Sequence, residues 1–136
     1  MKATELQIGD LVKIKGHLDY DKVQEIARDE NMQWYISFAC SATLFHTYEF
    51  EPVPLTPEIL EKNGFCFVKS SDRDTVWNGW WIYKGLELGT CCLDRNANWP
   101  CCINITDSNI PCEYVHQLQH ALRLCELDEL ADNFKL

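Results

Sequence analysis

The sequence predicts an α+β protein, because runs with the alternation of β-strands fill most of the chain and two segments carry helix signals. Short alternating runs recur before residue 52 and again between residues 65 and 106. With 136 residues, we expect one compact domain over 1–136. Its expected parts are a small β-barrel-like unit at 1–51, a connector and short helix at 52–64, and an antiparallel sheet with a C-terminal helix at 65–136.

The first part begins with a turn at Gly9-Asp10 and a strand over 11–16 in which apolar and basic residues alternate. Further strands are predicted at 23–27, 33–40 and 44–48, separated by polar turns at 19–21 and 28–31. An open sheet of this size buries too little apolar surface, so we expect it to bend into a small SH3-like barrel. A plain meander is the alternative.

The connector starts where Pro52 and Pro54 remove backbone donors and so end the first sheet. A short helix follows, because Thr56 can cap it and Pro57 fits the first helical position. Gly64 supplies a left-handed stop. We therefore interpret this segment as structural.

The third part contains predicted strands at 65–68, 75–83, 86–93 and 101–106, with turns at 70–72, 84–85 and 94–98. A helix after Pro111 closes the chain, and the tail at 126–136 is a short amphipathic extension. The apolar stripe of that helix comprises Tyr114, Val115, Leu118, Ala121, Leu122 and Cys125. Its remaining side chains, which face outward or into a polar contact, are His116, Gln117, Gln119, His120 and Arg123.

The charge balance narrows the classes of partner. A net charge of −9, from 21 acidic and 12 basic residues, opposes a phosphate backbone, so we expect no direct binding of nucleic acid. An acidic surface suits a basic protein partner, or simply keeps the protein in solution. Apolar runs are far shorter than the ~20 residues that cross a bilayer, and no signal peptide is recognisable, so we expect a cytoplasmic protein with no membrane contact.

The eight cysteines are expected to be reduced thiols, because the chain carries no export signal. A turn near Asn96-Ala97 would set Cys92 opposite Cys101 and Cys91 opposite Cys102, one pair on each face of a hairpin. Structural zinc needs four ligands at one point, and the C-x-x-C spacing is missing, so no metal and no cofactor are expected. The candidates, if a metal binds, are Cys91, Cys92, Cys101, Cys102, Cys112, His116 and His120.

Cys112, His116 and His120 are spaced by four residues and would follow one side of a helix that begins early enough. The zincin pattern requires a glutamate directly after the first histidine, where this chain has Gln117. A solvent-facing or capping role for the histidines is therefore favoured over catalysis. The sequence also lacks a glycine-rich phosphate loop.

The aromatic run over 77–83 is the best candidate for a binding surface, because exposed tryptophans anchor partners or stack on flat ligands. Strand alternation would place Trp81 and Tyr83 on one face, and Trp80 and Ile82 on the other. A two-layer core that buries both faces is the alternative. The candidate surface comprises Trp77, Trp80, Trp81, Tyr83 and Trp99.

Three segments carry a resemblance to a known family: Glu5-Leu6-Gln7-Ile8-Gly9-Asp10, the run Glu51-Pro52-Val53-Pro54-Leu55-Thr56-Pro57-Glu58-Ile59-Leu60 with Gly64-Phe65, and Tyr114-Val115-His116-Gln117-Leu118-Gln119. Together they resemble a family of small uncharacterised proteins of Bacteroides-type phages, prophages and mobile elements. Members tend to have asparagine after the last run, where this chain has His120. The resemblance implies a phage or mobile-element accessory protein in the bacterial cytoplasm, and it implies no activity.

We therefore expect a non-enzymatic protein that binds a host or phage protein, for example to inhibit a bacterial defence system. The alternative is a small-ligand binder, such as a sponge for a nucleotide signal, in which tryptophans stack on a base and Lys13, Lys15 or Arg95 meets phosphate. A homo-oligomer with pockets between subunits would favour that alternative. A third class is a thiol- or metal-dependent hydrolase that uses His116.

Overall fold

A computed structural model describes residues 2–38, 41–46, 49–71, 76–91, 99–105 and 108–136. The predicted α+β class is confirmed: the described residues form two antiparallel sheets of five strands with short helices. The strands are β1 Leu11–Ile14, β2 Tyr20–Arg28, β3 Trp34–Phe38, β4 Ser41–His46, β5 Phe50–Pro52, β6 Cys66–Lys69, β7 Trp77–Tyr83, β8 Leu86–Cys91, β9 Cys102–Ile105 and β10 Ser108–Pro111. The helices are α1 Pro57–Lys62, α2 Val115–Leu124 and α3 Asp128–Asp132, preceded by a 3-10 turn at Ala3–Glu5.

The N-terminal sheet has the strand order β4-β3-β2-β1-β5, so the chain returns after four strands to pair with the first. One side of this sheet buries a small apolar cluster, because alternate residues of its strands point the same way. The SH3-like closure of this sheet stays a prediction. The buried cluster comprises Leu6, Val12, Val23, Ile36, Phe38 and Phe50.

The strand β5 was not predicted from sequence, because it is three residues long and ends in a proline. It lies at the edge of the sheet, where Pro52 is opposite Val12 and needs no donor on its outer side. The sheet therefore ends at Pro52, where the proline signal placed its end.

The connector helix forms as predicted. The Thr56 hydroxyl accepts a hydrogen bond from the Ile59 N–H at 3.4 Å, and Pro57 occupies the first position. Gly64 follows the helix with a φ of +83°, a left-handed conformation that glycine adopts without strain. Leu55 and Leu60 flank the cap and are both fully buried, which fixes the angle at which the chain enters the helix.

The second sheet has the order β10-β9-β8-β7-β6 and packs its inner face on α2 and α3. The strand β10 was not predicted, because all four of its residues are exposed and no burial alternation marks it. Its last residue is Pro111, which an edge strand tolerates. The larger core of the protein therefore lies between this sheet and the C-terminal helices.

The helix α2 buries most of the predicted apolar stripe, with Val115, Leu118 and Leu122 fully buried. Cys125, which was placed in that stripe, is exposed, because it is the C-cap residue beyond the last helical position. Tyr114 precedes the helix as its N-cap residue, so the helix begins one residue later than the stripe suggests. The predicted extension contains α3, from which Ala131 joins the same core. Among the helices of the described ranges, none has the length and apolar character needed to cross a membrane.

The three segments that carry the family resemblance meet in space. The Val115 N–H donates to the Val53 carbonyl at 2.9 Å, and the Leu55 N–H donates to the Glu113 carbonyl at 2.8 Å. The Gln119 Nε2 donates to the Gly9 carbonyl at 3.1 Å. These bonds join the first part of the chain to the last, and they favour the single domain over 1–136, which stays a prediction.

Candidate functional site

A β-bulge in β7 decides which tryptophans face outward. The pairing of β7 with β8 shifts between Trp77 and Gly79, so one extra residue stands on the β7 side. Without the shift, Trp77 and Trp80 would point to opposite faces. With it, their rings meet on the outer face of the sheet, with centroids 5.0 Å apart. A glycine inside a strand is a signal for such a bulge, and Gly79 was that signal here.

Gly89 leaves room for the two rings to lie against the sheet, because it has no side chain. It lies opposite Trp80 in β8, and a Cβ atom on it would stand 2.8 Å from the Trp77 ring and 3.0 Å from the Trp80 ring. Any larger residue would displace one ring from the strand. Val68 lies opposite Trp80 in β6, on the same face, and half of its surface is exposed, at 50%. We call Val68, Trp77 and Trp80 the outer aromatic patch.

The other members of the predicted aromatic surface lie elsewhere. The alternation itself is confirmed, because Trp81 and Tyr83 both pack on the inner core. Trp81 is 2% exposed, so its assignment to a binding surface is corrected: the inner face of β7 is covered by the second core. Tyr83 is half-buried against Phe65, at a centroid distance of 5.1 Å. Trp99 is half-buried and follows a segment outside the described residues.

The predicted cysteine hairpin has a different register. Cys102 lies opposite Gly89 instead of Cys91, because the core pair Leu88 and Ile103 sets the alignment of β8 with β9. The predicted pairing of Cys91 with Cys102 is therefore wrong. Cys101 directs its Sγ toward the Gly89 carbonyl at 3.4 Å. Cys92 lies outside the described residues, and of Cys91 only the backbone is described.

The predicted line of one cysteine and two histidines is also corrected. Cys112 precedes α2 and belongs to the core, where burial raises the pKa of its thiol to about 12. A thiol held protonated in this way is a poor metal ligand. Within the described ranges, no group of three or more histidine, cysteine or acidic side chains is placed to hold a metal ion.

A buried carboxylate ties the first turn of the chain to α2. Asp10 is completely buried, and its Oδ2 accepts a hydrogen bond from His120 Nε2 at 2.7 Å. Its Oδ1 accepts from Arg123 Nη1 at 2.9 Å, and the Gln7 N–H donates to Oδ2 at 2.8 Å. A buried charge is tolerated only with partners of this kind. The carboxylate therefore holds His120 and Arg123 in fixed positions.

Gln119 is a second side chain that joins α2 to the start of the chain. It is completely buried and uses both ends of its amide: Oε1 accepts from the Leu11 N–H, and Nε2 donates to the carbonyls of Gly9 and Ala131 at 3.1 and 2.8 Å. Sequence reasoning gave Gln119 no specific role. Its spacing from Val115 and Leu122 placed it next to the apolar stripe, which is the signal for a polar residue with buried partners.

An open groove of about 500 Å³ lies at the N-terminal end of α2. His116 and His120 form part of its wall with ring centroids 5.9 Å apart, and the Tyr114 ring stacks on His116 at the same distance. His116 is only 5% exposed, and its Nδ1 is buried without a hydrogen-bond partner. The groove is lined by Glu5, Pro52, Tyr114, His116, Gln117 and His120.

Burial of His116 makes the stability of the fold depend on pH. Burial lowers the pKa of His116 below its usual value, and the nearby Asp10 carboxylate offsets only part of that effect. The folded state therefore binds fewer protons than the unfolded chain. Above the unfolded pKa near 6.5, His116 is neutral in both states and its protonation does not affect stability. As the pH falls below that value, the unfolded chain takes up the proton first, and the folded state becomes less stable. We expect the melting temperature of the wild type to fall more between pH 7.5 and 5.5 than that of His116→Phe. His17→Gln, at an exposed position, is the control and should keep the wild-type slope.

A second cavity, of about 730 Å³, lies between the end of α1, the β7–β8 turn and α3. Lys62, Lys84 and Lys135 stand around it, with Tyr83 as an aromatic wall and Glu126 among its acidic residues. Lys13 and Lys15, which were predicted to meet phosphate beside the tryptophans, belong to the N-terminal sheet region instead. Arg95 lies outside the described residues.

Fold and surfaces together define a small α+β protein with an outward aromatic patch, a histidine-lined groove and a lysine-rimmed cavity. No family model, curated protein or solved structure matches the chain.

Proposed function

We propose that this chain is a non-enzymatic accessory protein of a phage or mobile element that binds a host or phage protein through the outer aromatic patch. Inhibition of a bacterial defence system, in the bacterial cytoplasm, is the use we propose for that binding. The observation that best supports this proposal is the pair Trp77 and Trp80, whose rings lie side by side on the outer face because of a bulge and a glycine. Tryptophans clustered on a surface are typical anchors of protein interfaces.

The charges near the patch support a basic partner. Glu87 is exposed on the same outer face, next to Ile82 in the strand register. The chain as a whole carries a net charge of −9. Aromatic anchors on a protein with a net negative charge combine affinity with attraction of a positively charged partner. Binding should therefore weaken as salt is raised, and Glu87→Gln should slow association.

The test is capture of a partner from a bacterial host of the Bacteroides type, followed by native mass spectrometry of the complex. The captured protein is then produced separately and titrated with the wild type and two variants. The double variant Trp77→Ser/Trp80→Ser should bind at least about tenfold more weakly, since interface tryptophans contribute about 2 kcal/mol or more. Leu18→Ser, at a residue that is 91% exposed in the N-terminal part, is the control and should bind as the wild type does.

Equal binding by the wild type and the double variant would contradict the proposal, as would loss of binding only in the Leu18 variant. A nucleotide-sized mass retained on the purified chain would favour the second candidate function, a small-ligand binder. The lysine-rimmed cavity supports that candidate, because it offers cations for phosphate and the Tyr83 ring for a base. Lys84→Gln should then release the ligand.

A further inference from the structure

We propose that the groove at the N-terminal end of α2 binds a small oxyanion, either a carboxylate or a phosphate group carried by a small molecule. This inference does not depend on the proposed protein partner. The first turn of a helix presents N–H groups without intrahelical acceptors and the positive end of the helix dipole. The helix α2 has ten residues, and Tyr114, His116 and Gln117 from its start line the groove.

His116 provides evidence for a ligand that is independent of the helix N-terminus. The residue is 5% exposed, and its Nδ1 is buried without a hydrogen-bond partner within the described ranges. Buried polar side chains are normally paired, so an imidazole nitrogen left without a partner in the wall of a groove indicates that the partner comes from outside the chain. An oxyanion can accept from such a ring and supply its counter-charge.

Gln117 presents a second donor. Its Oε1 accepts from the N–H groups of Glu113 and Tyr114, at 2.8 and 3.1 Å, and this fixes which end of the amide is which. Its Nε2 makes no hydrogen bond to the part of the chain that the structure describes. Two amide hydrogens are therefore available at the groove, where an acceptor-rich ligand would use them.

His120 stands in the same wall with its orientation fixed. Its Nε2 is held by the buried Asp10 carboxylate, which leaves Nδ1 for a ligand. The Tyr114 ring stacks on His116 and, with Pro52, gives the groove an apolar side. A volume of about 500 Å³ suits a small organic anion better than a bare ion.

The negative charge of Glu5 distinguishes an anion site from a cation site. It is the acidic member of the lining, it is exposed, and its carboxylate accepts a hydrogen bond from the Lys2 N–H at 3.0 Å. An anion is repelled by this carboxylate, whereas a metal cation would be attracted by it. Glu5→Gln keeps an oxygen for the Lys2 bond, so the substitution removes the charge without removing the contact.

The experiment follows the histidine ring signals by two-dimensional ¹H–¹³C NMR while sodium phosphate, sodium acetate or zinc chloride is added at constant ionic strength. We expect saturable shifts of the His116 and His120 signals with phosphate or acetate, and no shift of exposed His17. The anion that saturates these signal shifts at the lower concentration identifies the oxyanion class. Glu5→Gln should bind that anion roughly two- to fivefold more tightly, the change expected from loss of one exposed like charge.

Parallel drift of all four histidine signals, as with sodium chloride, would overturn the proposal. Saturation by zinc together with weaker binding in Glu5→Gln would also overturn it, in favour of a cation site. His116→Asn should weaken binding of the anion, and the Glu5 variant keeps the proposal testable if the His116 variant does not fold.

Discussion

Trp81→Ala is expected to lower the free energy of unfolding by about 3 to 5 kcal/mol, the usual cost of removing a large aromatic side chain from a packed core. Trp81 is 2% exposed, and its ring packs on Phe67 at a centroid distance of 5.1 Å. It also belongs to the core cluster that α2 covers. Its neighbour Trp80 points to the outer face, so Trp80→Ala should cost only about 1 kcal/mol.

Urea denaturation followed by far-ultraviolet circular dichroism measures both variants, because backbone amides dominate that signal, whereas tryptophan fluorescence would change with the substitution itself. The comparison is matched, since the two residues are adjacent, identical and in one strand. Similar losses in the two variants would contradict the assignment of opposite faces. A larger loss in Trp80→Ala would reverse it.

Gln119→Leu is expected to lower the free energy of unfolding by about 3 to 5 kcal/mol, although it adds apolar surface to the core. The substitution removes the side-chain partner of three backbone groups: the Ala131 carbonyl in a buried contact, and the Leu11 N–H and the Gly9 carbonyl in partly buried ones. Each such group costs about 1 to 3 kcal/mol when it is left unpaired away from water.

Gln24→Leu is the control, because Gln24 is exposed on β2 and the same change there should alter stability by less than about 0.5 kcal/mol. Amide hydrogen exchange adds a local readout. The Leu11 amide should exchange much faster in Gln119→Leu than in the wild type, because it has lost its acceptor. Unchanged stability and unchanged exchange at Leu11 would show that Gln119 does not join α2 to the first strand.

Local signals predicted much of the fold. Thr56, Pro57 and Gly64 each act through the backbone of their own neighbourhood, so the helix between them could be placed from sequence. Strands with one buried face were found for the same reason. The strands β5 and β10 were missed, because β5 is three residues long and β10 buries none of its residues.

The candidate sites were harder to predict, because they depend on pairs distant in sequence. A bulge of one residue moved Trp77 to the face of Trp80, and the burial of Leu88 with Ile103 moved the cysteine register by two residues. The bonds from Asp10 to His120 and Arg123 span more than a hundred positions. Hydrophobic periodicity does not predict such long-range contacts. A polar residue beside an apolar stripe, as at Gln119, does indicate that its side chain has buried partners.

Oxidative footprinting of tryptophan side chains by hydroxyl radicals, with and without the captured partner, tests the proposed interface most directly. The account predicts that oxidation of Trp77 and Trp80 slows severalfold in the complex. Trp34, which lies in the N-terminal sheet under Arg28 at 4.3 Å, is the internal control and should oxidise at an unchanged rate. Protection of Trp34 with unchanged oxidation of Trp77 and Trp80 would contradict the account, because the partner would then cover a different face.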